Sequence, residues 1–503
     1  MKKAGWFIYV FLHLTFGWSQ TELFHFNNPL SSKAAALNPA FLPRYGLNFS
    51  FATSTQFTPG QIQLFDIFRS DLDPAQTLRV LLADSNKDLR DMKFDQELGL
   101  LDIGIRSRRS YIHMSSKFIA RADLNIDKDL LGLAFFGNGD TQYFKKPVEL
   151  DFSGTKFQLH MEHRMSYGRQ IGSKWYFGLS AKVIHGLARL QLDRAKFDLL
   201  TDENDSSIYS LSARGDVNAV STGFQGSILK PYDPLWYLQR VPFANYGLSY
   251  GGGFIYRPFD FLRISFSTEN HGTTEWNYFR SEHNISVNMA QFQGLDTIGL
   301  LFRQENRSLS QELNDTLDSW YSINEVSNFK REITTIRPRY IFGAEYLGFH
   351  RHRLGVVYAQ GLGTRSDIDV WSFSEHFDVN KYVQLYLGYS RFVNPRPQNI
   401  WNLGFSAQAL GMQLYAQLNN VVGILYPGNT SHYYGGQVGF NINIVENIDS
   451  DGDDIPDHRD KCKDVYGVPK YKGCPEYTFR QPHLVDPKTK RLKKMKRIEE
   501  RFN

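Results

Sequence analysis

The sequence has only two cysteines, Cys462 and Cys474, among 503 residues. Two thiols make a poor zinc site, and no pair of histidines lies at ligand spacing near them. Beyond the N-terminus no run of about twenty apolar residues occurs, which argues against a helical membrane anchor. The sequence also lacks a nucleophile elbow, a helical metal motif and a complete phosphate-binding loop. These absences predict a protein that is not an enzyme.

The N-terminus has the pattern of an export signal. Lys2 and Lys3 precede the apolar run 6–16, and Gly17 and Ser19 are small residues at the positions that signal peptidase reads. We predict a signal peptide at residues 1–19. In an exported chain, an even number of cysteines predicts one disulfide between Cys462 and Cys474.

The composition combines many aromatic residues with a polar average. Phe, Tyr and Trp make up 15% of the chain and glycine is abundant at 40, yet the mean hydropathy is −0.40. A membrane barrel produces this mixture, because its strands alternate apolar and polar residues while aromatics gather at the two membrane interfaces. A soluble β-sandwich can share the same composition.

Two-residue periodicity dominates from residue 98 to residue 445. In one example Phe177, Leu179 and Val183 face one way, with Gly178 and Lys182 on the opposite face. Such segments have the length of a tilted membrane strand. We therefore predict an all-β fold, a transmembrane antiparallel β-barrel of about fourteen strands over residues 98–445. Polar inserts at 198–218, 231–245 and 304–330 are predicted to be extracellular loops, the last of them partly helical.

The region before the barrel has a different pattern. Apolar residues recur at helical spacing in 61–82, and Pro74 is placed to start a second helix. We predict that residues 20–97 form an N-terminal helical hatch with the first strand. Such a segment can plug the lumen, pack beneath it, cover one end, or merely pack on the barrel. The glycines at 251–253 favour a bend or the close approach of a plug.

An acidic loop follows the last predicted strand. A calcium loop presents side-chain oxygens at positions one, three, five, nine and twelve, with a backbone carbonyl at seven. Counting from residue 449, these positions are occupied by Asp449, Asp451, Asp453, Ile455 (carbonyl), Asp457 and Asp460. This register predicts that residues 446–476 bind Ca²⁺, although Asp454 replaces the usual glycine at position six. The alternative is a solvated acidic linker.

Two resemblances extend this interpretation. Residues 449–475 resemble a thrombospondin type 3 repeat of the kind that links outer-membrane barrels to OmpA-like domains. The motif Leu37-Asn-Pro-Ala40 resembles the start of FadL-like and PorV-like outer-membrane proteins, and residues 123–138 and 178–187 resemble an uncharacterised family of barrels related to them. The FadL-like resemblance implies fourteen strands, a hatch containing Asn38 and Pro39, and passage of hydrophobic molecules. The PorV-like resemblance implies a role in type IX secretion.

The C-terminal residues 477–503 are strongly basic. Such a tail is either a solvated end or an arm that binds an acidic partner. Nucleic acid is not expected as a partner outside the cytoplasm. The residues predicted to bind a partner are Lys490, Arg491, Lys493, Lys494, Lys496 and Arg497.

Together these patterns predict a non-enzymatic scaffold or assembly component in the outer membrane of a Gram-negative cell. Membrane lipid surrounds it, and its calcium-stiffened C-terminus lies in the periplasm, where it docks a protein partner. One alternative is a FadL-like channel for hydrophobic or small solutes. A second alternative is a cell-wall anchoring protein.

Overall fold

The computed structural model describes most of the chain between Lys33 and Glu446. The described residues are 26, 33–43, 45–59, 76, 79–80, 92–107, 109–204, 207–223, 245–259, 261–277, 280–292, 321–327, 332–349, 351–362, 365–380, 382–394, 397–425, 433–446, 455, 459–462, 471–472 and 474.

Strands dominate these residues. The strands are β1 (Tyr45–Pro59), β2 (Met92–Ser107), β3 (Ser110–Leu124), β4 (Pro147–Asp151), β5 (Lys156–Ile171), β6 (Trp175–Asn204), β7 (Ser207–Thr222), β8 (Tyr246–Phe259), β9 (Leu262–Trp276), β10 (Ser281–Phe292), β11 (Tyr321–Ser327), β12 (Glu332–Ile336), β13 (Arg339–Phe349), β14 (His352–Leu362), β15 (Arg365–Asp378), β16 (Val383–Asn394), β17 (Gln398–Ala409), β18 (Met412–Asn419) and β19 (Tyr434–Glu446). Three described helices are α1 (Lys33–Leu37), α2 (Lys128–Phe136) and α3 (Val421–Leu425).

Fourteen of these strands close into an antiparallel barrel. The wall runs in the order β1, β2, β3, β5, β6, β8, β9, β13, β14, β15, β16, β17, β18 and β19. Pairing of β19 with β1, from Tyr45 opposite Glu446 to Phe57 opposite Tyr434, closes the ring. The predicted fold class and strand number are confirmed. The wall starts at Tyr45, within the range 20–97 that was predicted to hold the hatch and the first strand.

The wall is apolar outside and polar inside. Outward side chains such as Leu179, Tyr250 and Leu414 are more than half exposed, whereas inward ones such as Asn441 and Ser390 are buried. A soluble sandwich has the opposite arrangement, because water covers its outer faces. In a bilayer every backbone polar group must be paired internally, and a closed barrel meets that requirement. The protein is therefore a transmembrane barrel, and the sandwich alternative is excluded.

One wall strand, β6, continues beyond the barrel and forms a sheet with four strands that lie outside the wall. The distal part of β6, from Arg189 to Asn204, pairs with β7 on one side, and β4 pairs with the same part of β6. Strand β7 pairs with β10, and β10 pairs with β11. Fifteen steps of about 3.3 Å make this sheet about 50 Å long. We name it the extension sheet.

The extension sheet corrects one prediction made from the sequence. Residues 198–218 were expected to form a loop, but they lie in β6 and β7, which are joined at residues 205–206. Part of this hairpin is apolar, because Phe197 and Leu199 pack against the cluster of Tyr143, Val148 and Leu150, but the many Asp, Asn and Ser residues of the segment favoured a loop. Similarly, the predicted insert 304–330 contains strand β11, and its other residues lie outside the described part. Of the insert 231–245, only Asn245 is described.

The two ends of the barrel differ. Both termini of the wall lie at one end, named here the terminal end, where described turns are short, such as the one at Gly172 and Ser173. The opposite end, named the loop end, carries the extension sheet and a small unit built from α2 and β4. In that unit Arg79 contacts Asp140 at 3.0 Å and lies over the Phe136 ring. A hydrogen bond from the Gln142 backbone N–H holds the pKa of Asp140 below its usual value.

Candidate functional site in the barrel lumen

The N-terminal residues 33–43, named here the hatch segment, lie inside the barrel. Helix α1 ends at Leu37 because Pro39 cannot continue it. The Asn38 side chain accepts a hydrogen bond from Ala40 N–H at 3.0 Å, which turns the chain directly after the helix. Asn38 and Ala40 have no solvent exposure. The described part of the predicted hatch, which includes Asn38 and Pro39, thus lies in the lumen.

A row of three glycines holds the hatch segment against the wall. Gly168 on β5 lies opposite Gly178 on β6, which lies opposite Gly253 on β8. A Cβ atom at any of the three positions would overlap with Asn38 or Pro39. These glycines allow the backbone of the hatch segment to approach the wall closely. We name them the glycine cradle.

Polar and apolar contacts also hold the hatch segment against the wall. Arg164 donates to the carbonyl of Ala36 and also pairs with Glu269. The Arg263 guanidinium lies 5.3 Å from the centroid of the Phe41 ring. Leu37 belongs to an apolar cluster that spans β13 to β17 inside the lumen. The cluster consists of Phe26, Leu37, Ile341, Val357, Ala359, Val370, Phe392, Ile400 and Tyr433.

A network of buried charges lies beside the hatch segment. Lys117 pairs with Glu97 at 3.0 Å, and Lys182 pairs with Glu162 at 3.1 Å. Lys117 also lies 3.7 Å from Glu162. These four residues come from β2, β3, β5 and β6, so the network joins four neighbouring strands. We name these residues, together with Arg164, Glu269 and Arg339, the lumen charge network.

Glu269 connects this network to the hatch segment. It accepts from Arg339 at 2.9 Å and pairs with Arg164, which holds the Ala36 carbonyl. A carboxylate between two guanidinium groups makes strong charge-assisted hydrogen bonds. The position of the hatch segment is therefore coupled to the charge state of the lumen.

A β-bulge places two consecutive side chains of β9 in the lumen. Tyr250 pairs with His271 and Gly252 with Thr268, so Gly251 faces both Glu269 and Asn270. Asn270 has a positive φ of 68°. An extra residue in one strand inverts the side-chain alternation beyond it. Both Glu269 and Asn270 consequently line the lumen, and Asn270 accepts from Lys182 at 2.7 Å.

Two cavities remain on the charged side of the lumen. The inner cavity, of about 110 Å³, lies between the hatch segment and the charge network. The outer cavity, of about 220 Å³, is lined partly by β12 and by Trp276 near the loop end. Both are lined by Arg121, Glu162, Asn270 and Arg339, so they adjoin. A solute entering from the loop end would meet the outer cavity first and the hatch segment last.

The opposite side of the lumen is filled by neutral side chains near the terminal end. Tyr386 and Tyr415 are almost completely buried, and each lies where a Cβ on a nearby glycine would overlap with it. Amide and hydroxyl groups bond around them, as in the contacts from Asn441 to Gln413 at 2.7 Å and from Gln413 to Ser406 at 2.7 Å. This part of the lumen is a packed core.

Comparison with known proteins assigns the chain to a family. A family model described as a family of unknown function (DUF5723) matches residues 38–419. The chain belongs to DUF5723. No curated protein matches it.

Solved structures similar to this DUF5723 member include two toluene transporters and a FadL homologue. The Ralstonia pickettii toluene transporter TbuX is 9% identical, covers 83% of this chain and 94% of its own, and gives a TM-score of 0.42. The Pseudomonas putida toluene transporter TodX is 9% identical, with coverage of 85% and 94% and a TM-score of 0.38. A Pseudomonas aeruginosa FadL homologue is 9% identical, with coverage of 83% and 95% and a TM-score of 0.37. We draw nothing about function from likeness of this degree.

Most other predicted sites in this DUF5723 member lie outside the described residues. Of the predicted calcium ligands, Ile455 and Asp460 are described and both are buried. In the described residues no group of three or more His, Cys, Asp or Glu side chains is placed to hold a metal ion. Cys462 and Cys474 form the expected disulfide, with Cα atoms 5.0 Å apart. The signal peptide and the basic tail lie entirely outside the described part, and calcium binding stays a prediction.

The sequence analysis missed the lumen charge network. The sequence does contain a pattern that indicates this network, because Lys182 lies on the polar face of a predicted strand whose other face is apolar. The same pattern holds for Glu162 and Arg164 on β5, which are separated by an outward residue. Charged residues at inward positions of a membrane strand are the feature that could have identified the site.

Within the described residues, no helix is long and apolar enough to cross a membrane.

Proposed function

We propose that this protein is a gated conduit for small polar solutes across the outer membrane, and that the hatch segment is its gate. The lumen charge network is the observation that carries the proposal. Burying an ion inside a protein costs several kcal/mol in lost hydration. Pairing it with an opposite charge offsets this cost only when the geometry of the pair is good. A passage for polar solutes gives such charges a function, whereas a purely structural barrel has no need of them.

The neutral side of the same lumen supports this argument. Between β15 and β19 the barrel fills its interior with Ser, Asn, Gln and Tyr side chains, as in the hydrogen bonds from Ser390 to Ser372 and from Asn402 to Ser390. This chain can therefore pack a barrel interior without ions. Charges and cavities occur together on the other side, next to the hatch segment. The polar character of these cavities favours small polar solutes over the hydrophobic molecules implied by the FadL-like resemblance.

The lengths of the connections support an orientation. In outer-membrane barrels the short turns face the periplasm and the long loops face outside. The terminal end would then lie in the periplasm, as predicted from the sequence, and the outer cavity would open towards the cell exterior. Solutes would enter between the extension sheet and the wall and reach the hatch segment from above.

Substitutions in the glycine cradle test the gate. Gly178→Ala adds a methyl group where Pro39 lies, so the hatch segment must move off its seat. We expect the variant to raise single-channel conductance or open probability in planar bilayers severalfold over the unaltered protein. Gly404→Ala is the matched control, because Gly404 also faces the lumen but its Cβ would meet only strand atoms, at 3.3 Å or more. Equal, negligible conductance of the unaltered protein, Gly178→Ala and Gly253→Ala would refute the conduit.

The scaffold function and the calcium loop remain separate proposals. Both depend on residues 446–503, of which only a few around the disulfide are described. The carboxylate register of the acidic loop supports Ca²⁺ binding there, and a stiffened loop would hold the basic tail at a fixed distance below the barrel. A conduit through the barrel lumen and a docking tail in the periplasm are compatible in one chain.

A further inference from the structure

The outer cavity contains an unusual set of side chains for a barrel interior. Three arginines line it, Arg121, Arg337 and Arg339, and the acidic residue that lines it is Glu162. That carboxylate is already contacted by Lys182 at 3.1 Å and by His160 at 3.5 Å. Arg121 and Arg339 are paired with Asp95 and Glu269, so among the described residues the uncompensated positive charge of the lining is that of Arg337.

Two of the arginines have capacity for a ligand. Arg121 meets Asp95 through Nε at 3.5 Å, and among the described residues no other ion pair or hydrogen bond involves it. Arg337 lies in the connection between β12 and β13, is exposed, and has no ion pair or hydrogen bond within the described residues. A guanidinium group offers five N–H donors in a planar fork that matches the geometry of carboxylate and phosphate. The two side chains therefore place unused donors at the cavity.

A buried histidine adds an independent sign of a ligand. His160 is 2% exposed and lines the outer cavity. Its Nε2 faces Glu162, while its Nδ1 has no hydrogen-bond partner among the described residues. A buried polar atom without a partner costs about 1–3 kcal/mol, so its retention beside a cavity favours a partner that enters from outside. With Nε2–H facing Glu162, Nδ1 of the neutral ring is an acceptor, and it would receive a hydrogen bond from a protonated oxygen of the ligand, such as that of hydrogen phosphate.

The remaining lining atoms suit a polar ligand with several oxygens. Thr274 and Thr335 contribute hydroxyl groups, and Gln158 and Asn270 contribute amides. A volume of about 220 Å³ has room for on the order of seven water molecules at about 30 Å³ each, and hence for a small oxyanion. A long acyl chain would leave these donors unsatisfied, so the chemistry favours a compact hydrophilic anion.

We propose that the outer cavity is a binding site for small oxyanions, carboxylates or phosphates, held by Arg121, Arg337 and His160. This inference rests on the proposed function, since it names the class of solute that the conduit would select. In the conduit, anions would collect in the outer cavity and meet the lumen charge network before they reach the hatch segment.

Equilibrium binding to the full-length protein in detergent tests the site without any need for transport. Isothermal titration with inorganic phosphate and, separately, with citrate should give saturable binding of at least one of them. The two arms distinguish a phosphate site from a carboxylate site. Arg121→Gln and Arg337→Gln should each weaken the binding about tenfold, because each removes a charged hydrogen-bond donor. Arg337→Lys should bind less tightly than the unaltered protein but more tightly than Arg337→Gln, since it keeps the charge and loses the fork.

Arg214→Gln is the matched control, because Arg214 is exposed on β7 of the extension sheet and does not line either cavity. It should leave the dissociation constant unchanged. Circular dichroism checks that each variant keeps its barrel, and Arg337 lies outside the strands, so its substitution spares the wall. The site is refuted if neither anion binds, or if both arginine variants bind as tightly as Arg214→Gln. Anion binding without conductance in the cradle variants would refute the conduit alone, and conductance without anion binding would refute this site alone.

Discussion

Glu269 is the residue on which the hatch segment and the charge network both depend. Its carboxylate contacts Arg164 and Arg339, and Arg164 in turn holds the Ala36 carbonyl. Removing one member of a buried ion pair leaves the other charge without compensation, which costs more than the pair itself contributes. For Glu269 two guanidinium groups would lose their common partner at once.

We therefore expect Glu269→Gln to lower the free energy of unfolding by about 3 kcal/mol. The measurement is equilibrium unfolding of the barrel in detergent by guanidinium chloride. The control is Glu375→Gln, which breaks a more exposed pair with His352, whose contact is 2.6 Å. Exposed pairs contribute about 0–1 kcal/mol, so the control should change little. If both variants lost the same small amount, Glu269 would not have the central position assigned to it.

At the scale of single elements, the bulge in β9 determines which residues reach the lumen. Inward positions before it are odd-numbered, as at Ser265 and Ser267, and after it they are even-numbered, as at Thr274 and Trp276. Glu269 and Asn270 mark the change. Bulges often redirect a side chain beside a functional site. Here the bulge adds Asn270 to the inner cavity without removing Glu269.

The positive φ of Asn270 allows a test of this bulge. Asn270→Gly and Asn270→Ala both remove the hydrogen bond to Lys182, but only alanine meets a steric cost in the left-handed region. We expect the alanine variant to be less stable than the glycine variant by about 1 kcal/mol in chemical unfolding. If the two variants are equally stable, residue 270 does not have a positive φ, and the bulge assigned to β9 is absent.

The acidic loop is the element for which metal binding is predicted. A peptide covering residues 445–476, with its disulfide formed, should bind Ca²⁺ in a calorimetric titration, because five carboxylates and one carbonyl recur at the spacing of a calcium loop. Replacing Asp449 and Asp453 by alanine should abolish the binding. An otherwise identical peptide with Lys461→Ala serves as the control, since Lys461 is exposed and no ligand position falls on it. A flat titration of the unaltered peptide would favour the solvated-linker alternative.

Strands are the elements that the sequence predicts well, and the reason is physical. A wall between lipid and a polar lumen forces alternation, so segments such as 383–389 and 412–418 are found within β16 and β18. The same reasoning fails where the surroundings differ. The hairpin of β6 and β7 extends beyond the wall, where Phe197 and Leu199 pack against Leu150 and its neighbours, and the bulge in β9 inverts the alternation. The site was less predictable than the fold, because which inward residues meet depends on strand order around the ring.

At the scale of the whole molecule, the barrel has two dissimilar halves. Strands β15 to β19 enclose a packed neutral core, whereas the ion pairs of the lumen charge network come from β2, β3, β5, β6, β9 and β13. The hatch segment is seated on the glycine cradle in the charged half. Its movement could therefore open a path along the charged half while the neutral half keeps the wall rigid.

This arrangement gives a transport direction only if the loop end faces outside, and the orientation is testable in intact cells. Ser173 lies in a short turn at the terminal end and Thr141 lies at the loop end, and both are exposed. The only native cysteines form a disulfide, so a new cysteine is the single reactive thiol. A membrane-impermeant maleimide should label Thr141→Cys in intact cells and should label Ser173→Cys only after the outer membrane is permeabilised. Labelling of Ser173→Cys in intact cells, with Thr141→Cys protected, would reverse the orientation, and the outer cavity would then receive solutes from the periplasm and release them to the exterior.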